Sequence, residues 1–177
     1  MNINIYTVTH KKYKMPSDPM YIPIQSGSAL YPNIGYQRDD IGDNISKKNP
    51  AFNIMCAMYW VWKNSNADFV GIVHYRRHFS LKKSPKIDFD NVLTKTEAKF
   101  LLEKNNILVA PKRFYPFMTI RSHYIYTKGG YINIHKKDIK TLRDVISDVY
   151  PDYIVSFDKV MNRTYFLIAK HLVTFQS

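Results

Sequence analysis

The chain has 177 residues, 45% of them hydrophobic and 23% charged, which is enough for a domain with a real core and excludes a disordered tail or a coiled coil. No apolar run reaches the ~20 residues of a membrane span. The N-terminus lacks the basic-then-apolar order of a secretory signal, and the lone cysteine, Cys56, excludes an internal disulfide framework and a cysteine-based zinc site. A net charge of +12 suits polyanionic partners such as nucleic acid, anionic lipid or phosphorylated small molecules, as well as plain solubility.

In chain order, Ile3–Val8 reads as a buried strand that stops at the polar run Thr9-His10-Lys11-Lys12. Tyr21–Gln25 is a second strand, with Pro23 marking an edge position. Ser26–Asn49 is long and polar, as loops that are functional or disordered are. A helix is expected to start with Asn49 as N-cap and Pro50 in the first turn, its apolar face carrying Phe52, Met55, Cys56, Tyr59 and Trp62. Ala67–Val73 is a third strand and ends in His74-Tyr75-Arg76-Arg77. Lys82–Asn91 is a basic loop, and Thr94-Lys95-Thr96-Glu97 is a capping box opening a helix to about Asn105. Ile107–Ala110 is expected to be a fourth strand, stopped by Pro111. His135–Val149 is an amphipathic helix, broken by Pro151 and followed by helical periodicity over Tyr153–Met161.

Strands alternating with helices predict an α/β domain with a mostly parallel sheet, flanking helices and a helical C-terminal part. Ligands of such sheets bind beyond the carboxyl ends of the strands. Thr9-His10 and His74-Tyr75-Arg76-Arg77 both fall at strand ends, so both are expected to converge on one cleft. Paired arginines offer planar forks for phosphate oxygens, and a histidine there donates to phosphate, holds a metal or relays a proton. Strand alternation predicts that His74 and Arg76 share a face and that Arg77 points the other way. The stretch Arg38-Asp39-Asp40-Ile41-Gly42-Asp43-Asn44 groups three carboxylates around a glycine. That pattern fits a cation, ribose hydroxyls or a general base, and equally an ordinary turn with Asx caps. Glycine-rich phosphate loops, Gly-x-Ser-x-Gly and His-Glu-x-x-His are all absent.

Five pieces occur in order across residues 3–80: Thr9-His10-Lys11; Tyr21-x-Pro23-Ile24-x-x-Gly27; Asp40-x-Gly42-Asp43-Asn44-Ile45-Ser46-x-Lys48-Asn49; Tyr59-Trp60-x-Trp62-Lys63-Asn64; and Gly71-x-x-His74-Tyr75-Arg76-Arg77. Together they resemble a bacterial glycosyltransferase family first described as a domain of unknown function and found in capsular and other surface-polysaccharide gene clusters. The likeness continues more loosely through Ser122-His123-Tyr124 to Asp158-Lys159-Val160-Met161-Asn162.

The resemblance implies a GT-A-like domain over 1–162 that moves a sugar from a nucleotide-diphosphate donor to a lipid-linked glycan. A UDP-linked galactofuranose is one candidate donor. Thr9, His10, Asn44, Asn49, His74, Arg76 and Arg77 would bind the nucleotide sugar. Asp40 or Asp43 would deprotonate the acceptor hydroxyl or hold ribose, and His123 and Tyr124 would meet the acceptor. Charge on the leaving diphosphate needs fixed cations or a divalent ion such as Mn or Mg. No metal site is assigned, because a clean Asp-x-Asp at a strand end is missing; Asp88-x-Asp90 has the spacing in a basic loop. The expected location is the cytoplasm, with peripheral contact at the anionic inner face of the cell membrane. Relatives carry a Glu-Leu-Thr-like patch where this chain has Ile54, Met55 and Cys56, and residues 163–177 read as a divergent or shortened tail that would impair transfer. The competing readings are a basic nucleic-acid-binding module, against which no RNA-binding signature appears, and a non-catalytic partner at the membrane surface.

Overall fold

The computed structural model describes residues 1–82, 89–109, 113–114, 117–126 and 132–166, and side chains are described here except those of 113–114, 132–135 and 165–166. The described residues form two compact units, those up to 109 and those from 113 onward.

The first unit is built on four parallel strands: β1 (Ile3–Thr9), β2 (Tyr21–Gln25), β3 (Gln37–Arg38) and β4 (Phe69–His74), in the order β3-β2-β1-β4. Alternation decides which residue serves which face. Even positions of β1 and β4 (Tyr6, Val8, Val70, Ile72) join Ile24 of β2 and Ala57, Trp60 and Val61 of helix α2 (Ile54–Asn64) in one core. Odd positions (Ile3, Ile5, Val73) join Tyr21 and the Leu93, Ala98 and Leu102 side chains beside helix α3 (Lys95–Leu102) in the other. Both sheet faces are therefore covered, which is why these strands read as apolar runs.

Pro23 sits in β2 without disrupting it, for a reason visible in the bonding. Met20 O accepts from Ile5 N and Ser26 N donates to Thr9 O, so even positions of β2 serve β1. Odd positions face β3, which pairs only with Ile24 and Gln25. The missing N–H of Pro23 thus points where no ladder partner exists.

Four expectations need correction. The helix predicted from Asn49 is two helices, α1 (Asn49–Phe52) and α2, because Asn53 adopts φ 47°. Lys48, not Asn49, is the N-cap, and the Asn49 amide is used elsewhere. The buried stripe of α2 is Cys56, Ala57, Trp60 and Val61, so Phe52, Met55 and Trp62 stay roughly half exposed instead of forming core. Finally, Ile107–Val109 forms no strand, and Ala110 lies outside the described residues. The Thr94–Glu97 capping box is present in full.

The second unit holds helices α4 (Ile120–Tyr126), α5 (Ile132–Val149) and α6 (Ile154–Met161), with a two-stranded antiparallel pair, β5 (Arg113–Phe114) and β6 (Tyr165–Phe166). Arg163 O accepts from Ile120 N, which ties the end of α6 to the start of α4. Among the described residues no helix is long and apolar enough to cross a membrane.

Candidate functional site

Parallel pairing of β1 with β4 sets Val8 opposite His74. The chain therefore leaves both strands at the same edge of the sheet, the carboxyl edge, and a hollow of about 500 Å³ opens there. Thr9, His10 and His74 line it from the strand ends; Ser26, Asn49 and Asn53 line it from the loop after β2 and from α1. Tyr31, Pro32 and Ile34 add an apolar wall.

One buried ring positions both histidines. Tyr75 is 2% exposed; His10 stands edge-on to it at 5.5 Å and His74 lies tilted against it at 4.3 Å. The ring also meets Tyr13 at 5.0 Å, Lys11 Nζ at 5.5 Å and the Arg76 guanidinium at 5.1 Å. Such ring and cation contacts orient side chains as well as burying area. Arg76 is accordingly spent on Tyr75 and does not line the hollow, in contrast to the expectation that it shares a face with His74. The alternation fails because the strand ends at His74 and a turn follows, in which Arg77 N donates to His74 O at 2.7 Å. Arg77 is exposed and likewise lies outside the lining.

The loop from Ser26 to Ser46 is fixed from inside. Asp39, fully buried, accepts from Gly27 N at 2.8 Å, Ser28 N at 2.9 Å and Ser46 Oγ at 2.6 Å. Gln25, also buried, donates to Pro32 O and accepts from Ile34 N, which holds the apolar wall in place. At the hollow itself, Asn49 Nδ2 donates to Ser26 Oγ at 2.9 Å and to Asn53 O at 3.1 Å. Thr9 Oγ1 donates to Lys11 O at 2.6 Å, so its hydroxyl shapes the turn that carries His10.

The carboxylates proposed for catalysis sit elsewhere in this unit. Asp40 accepts from Arg38 Nε and Nη2 at 2.9 and 2.5 Å, and these bonds hold its carboxyl below the usual range. It lines a different hollow, with Asn44, Lys47 and Lys48. Asn44 donates to Asp40 O and Gly42 O, an Asx-type turn. Asp43 is exposed and accepts from Tyr59 OH at 3.1 Å. The structure thus brings Thr9, His10, Asn49 and His74 together and leaves Asp40, Asp43, Asn44, Arg76 and Arg77 off that lining. His123 and Tyr124 belong to the second unit, where Tyr124 OH donates to Asp138 at 3.2 Å.

A GT-A-like fold raises the question of a divalent ion. The lining offers two imidazoles, amides and hydroxyls and no carboxylate, a poor donor set for Mg or Mn. Among the described residues no group of three His, Cys, Asp or Glu could hold a metal ion; Asp88 lies outside them.

A family model described as a domain of unknown function, DUF4422, matches residues 4–176. The chain belongs to this family. The DUF4422 match takes in the stretch 163–176 that the sequence set apart as divergent. A solved structure, the apo form of the bifunctional glycosyltransferase WbbM, superposes with a TM-score of 0.81 at 28% identity, covering 100% of this chain and 34% of that one. The chain thus spans about a third of the length of WbbM, and its parallel sheet with flanking helices is a GT-A-like fold. No curated protein matches. For this DUF4422 chain, sequence reasoning missed Tyr75, Gln25 and Asp39 as the residues that position the site. The signal was there for Tyr75, a large aromatic between two polar residues at the end of a buried strand.

Proposed function

We propose that the chain is a glycosyltransferase domain that binds a nucleotide-diphosphate sugar in the hollow at the carboxyl ends of β1, β2 and β4. The observation that carries this reading is the meeting of His10 and His74 across adjacent parallel strands in one hollow of about 500 Å³. The similarity to a glycosyltransferase supports it. In this reading ring N–H groups of His10 and His74 face the diphosphate, where charge grows as the sugar leaves. Tyr31 offers a ring for the base to stack on. Asn49 is a positioning residue, holding Ser26 and Asn53 at the wall.

The acceptor is a lipid-linked glycan and the setting surface-polysaccharide synthesis, with a UDP-linked furanose as a candidate donor. Of the two carboxylates, Asp40 is tied to Arg38 and Asp43 to the Tyr59 hydroxyl, and neither lines this hollow, so neither is proposed as the base. Calorimetric titration of the chain with UDP, UDP-sugars and a short oligonucleotide tests the reading. Micromolar binding of UDP that weakens about tenfold in His74→Ala supports it. Salt-sensitive oligonucleotide binding without a UDP response overturns it in favour of a nucleic-acid-binding module.

A further inference from the structure

The α5 sequence repeats cations at helical spacing: Lys136, Lys140 and Arg143, with Ile139 between them, share one face. That face meets α4, where Arg121 and Ile125 lie one turn apart. Ile125 and Ile139 are buried and form the floor of a hollow of about 230 Å³, and Arg121, Lys136, Lys140 and Arg143 complete its lining. Two carboxylates stand against these four cations. Asp158 of α6 accepts from Arg143 Nε at 3.0 Å and Nη2 at 2.7 Å and lies 3.8 Å from Arg121. Asp144 pairs with Lys140 at 2.7 Å, in an exposed contact that solvent weakens. Arg121 Nε is buried and has no hydrogen-bond partner among the described residues.

Cations clustered beyond their counter-charges, around an apolar floor, make a site with two chemistries. We propose that this hollow binds a phosphate or diphosphate ester of an apolar alcohol. The guanidinium of Arg121 and the two lysines take the phosphate oxygens, and the first carbons of the chain lie on Ile125 and Ile139. Asp158 holds Arg143 in place as a positioning residue. Every residue involved lies in the second unit, so the inference stands apart from the nucleotide site of the first.

The test uses the whole chain, calorimetry and three probes: geranyl diphosphate, inorganic diphosphate and geraniol. A Lys136→Gln/Lys140→Gln variant is compared with Lys95→Gln/Lys137→Gln, which removes the same charge outside the hollow. Geranyl diphosphate is expected to bind at least tenfold tighter than either partial probe. Its affinity is expected to fall at least tenfold in the first variant and to stay within twofold in the second. Equal binding of inorganic diphosphate would overturn the apolar part, and equal loss in both variants would reduce the effect to overall charge and sink the site. UDP binding weakened about tenfold by His74→Ala with geranyl diphosphate binding unchanged keeps the two sites distinct. Unchanged melting temperatures of the lysine variants show that the fold persists.

Discussion

Gly27 lies against the side-chain amide of Asn49 so closely that a β-carbon at position 27 would fall 2.6 Å from Asn49 Cγ. Its φ of 74° is also one that side-chain-bearing residues rarely adopt. Asn49 bonds Ser26 and Asn53, both on the wall of the nucleotide hollow. Gly27→Ala therefore strikes the backbone and the wall at once. Urea denaturation should show a loss of about 1–3 kcal/mol, and UDP affinity should fall in parallel. A variant with wild-type stability and binding would show that the wall does not depend on this contact.

Asp39 and Asp43, four residues apart, are expected to separate sharply. Asp39 is buried and satisfies two backbone N–H groups and a serine hydroxyl. Asp39→Ala strands those donors, and at about 1–3 kcal/mol for each unsatisfied group the cost is roughly 3 kcal/mol or more. Asp43 is exposed and accepts from the Tyr59 hydroxyl, so Asp43→Ala should stay within about 1 kcal/mol of wild type. Chemical denaturation of both variants checks the order. If Asp43 proves the costlier loss, the placement of the loop is wrong.

What the sequence made legible follows the reach of each interaction. The strands β1, β2 and β4 are short apolar runs with stop signals, and burial on both faces writes itself into such runs. The capping box of α3 uses neighbours three residues apart, so spacing alone reveals it. The face of α2 is another matter: the stripes Phe52-Met55-Tyr59 and Ala57-Trp60-Val61 are both apolar, and only the sheet chooses between them. Asn53 breaks the helix through bonds from Ser26 and Asn49, the first of which is 27 residues distant. Asp39 reads no differently from Asp40 or Asp43 until the loop is folded over it. Alternation placed His74 at the hollow but misled for Arg76, because the turn begins between them.

That last point orders the binding variants. His10 and His74 line the hollow, whereas Arg76 lies 5.1 Å over the ring of Tyr75. His10→Ala and His74→Ala should each weaken UDP binding about tenfold, the scale of one lost charge-assisted hydrogen bond. Arg76→Ala should weaken it by less than threefold, and Tyr75→Leu should cost as much as either histidine because it releases both. Calorimetry on the four variants reads this order. A larger loss from Arg76→Ala than from His74→Ala would move the diphosphate out of the hollow.

His78 gives the fold a pH response of its own. It packs edge-on to Tyr21 at 5.9 Å and against Phe89 at 5.5 Å. Burial lowers its pKa below the ordinary 6.5, and the neighbouring Tyr75 backbone offsets only part of that. The unfolded chain then binds the proton more readily than the folded one, so stability rises with pH across this window. Its full contribution is present above pH 6.5 and is lost as pH falls through the lower folded value. The carboxylates whose pKa values are depressed, Asp40, Asp158 and Glu97, respond only in more acid solution. His78→Phe keeps the ring contacts and removes the titration. Melting temperatures between pH 7.5 and 5.0 should therefore fall less steeply for His78→Phe than for wild type, and identical slopes would show that His78 titrates alike in both states.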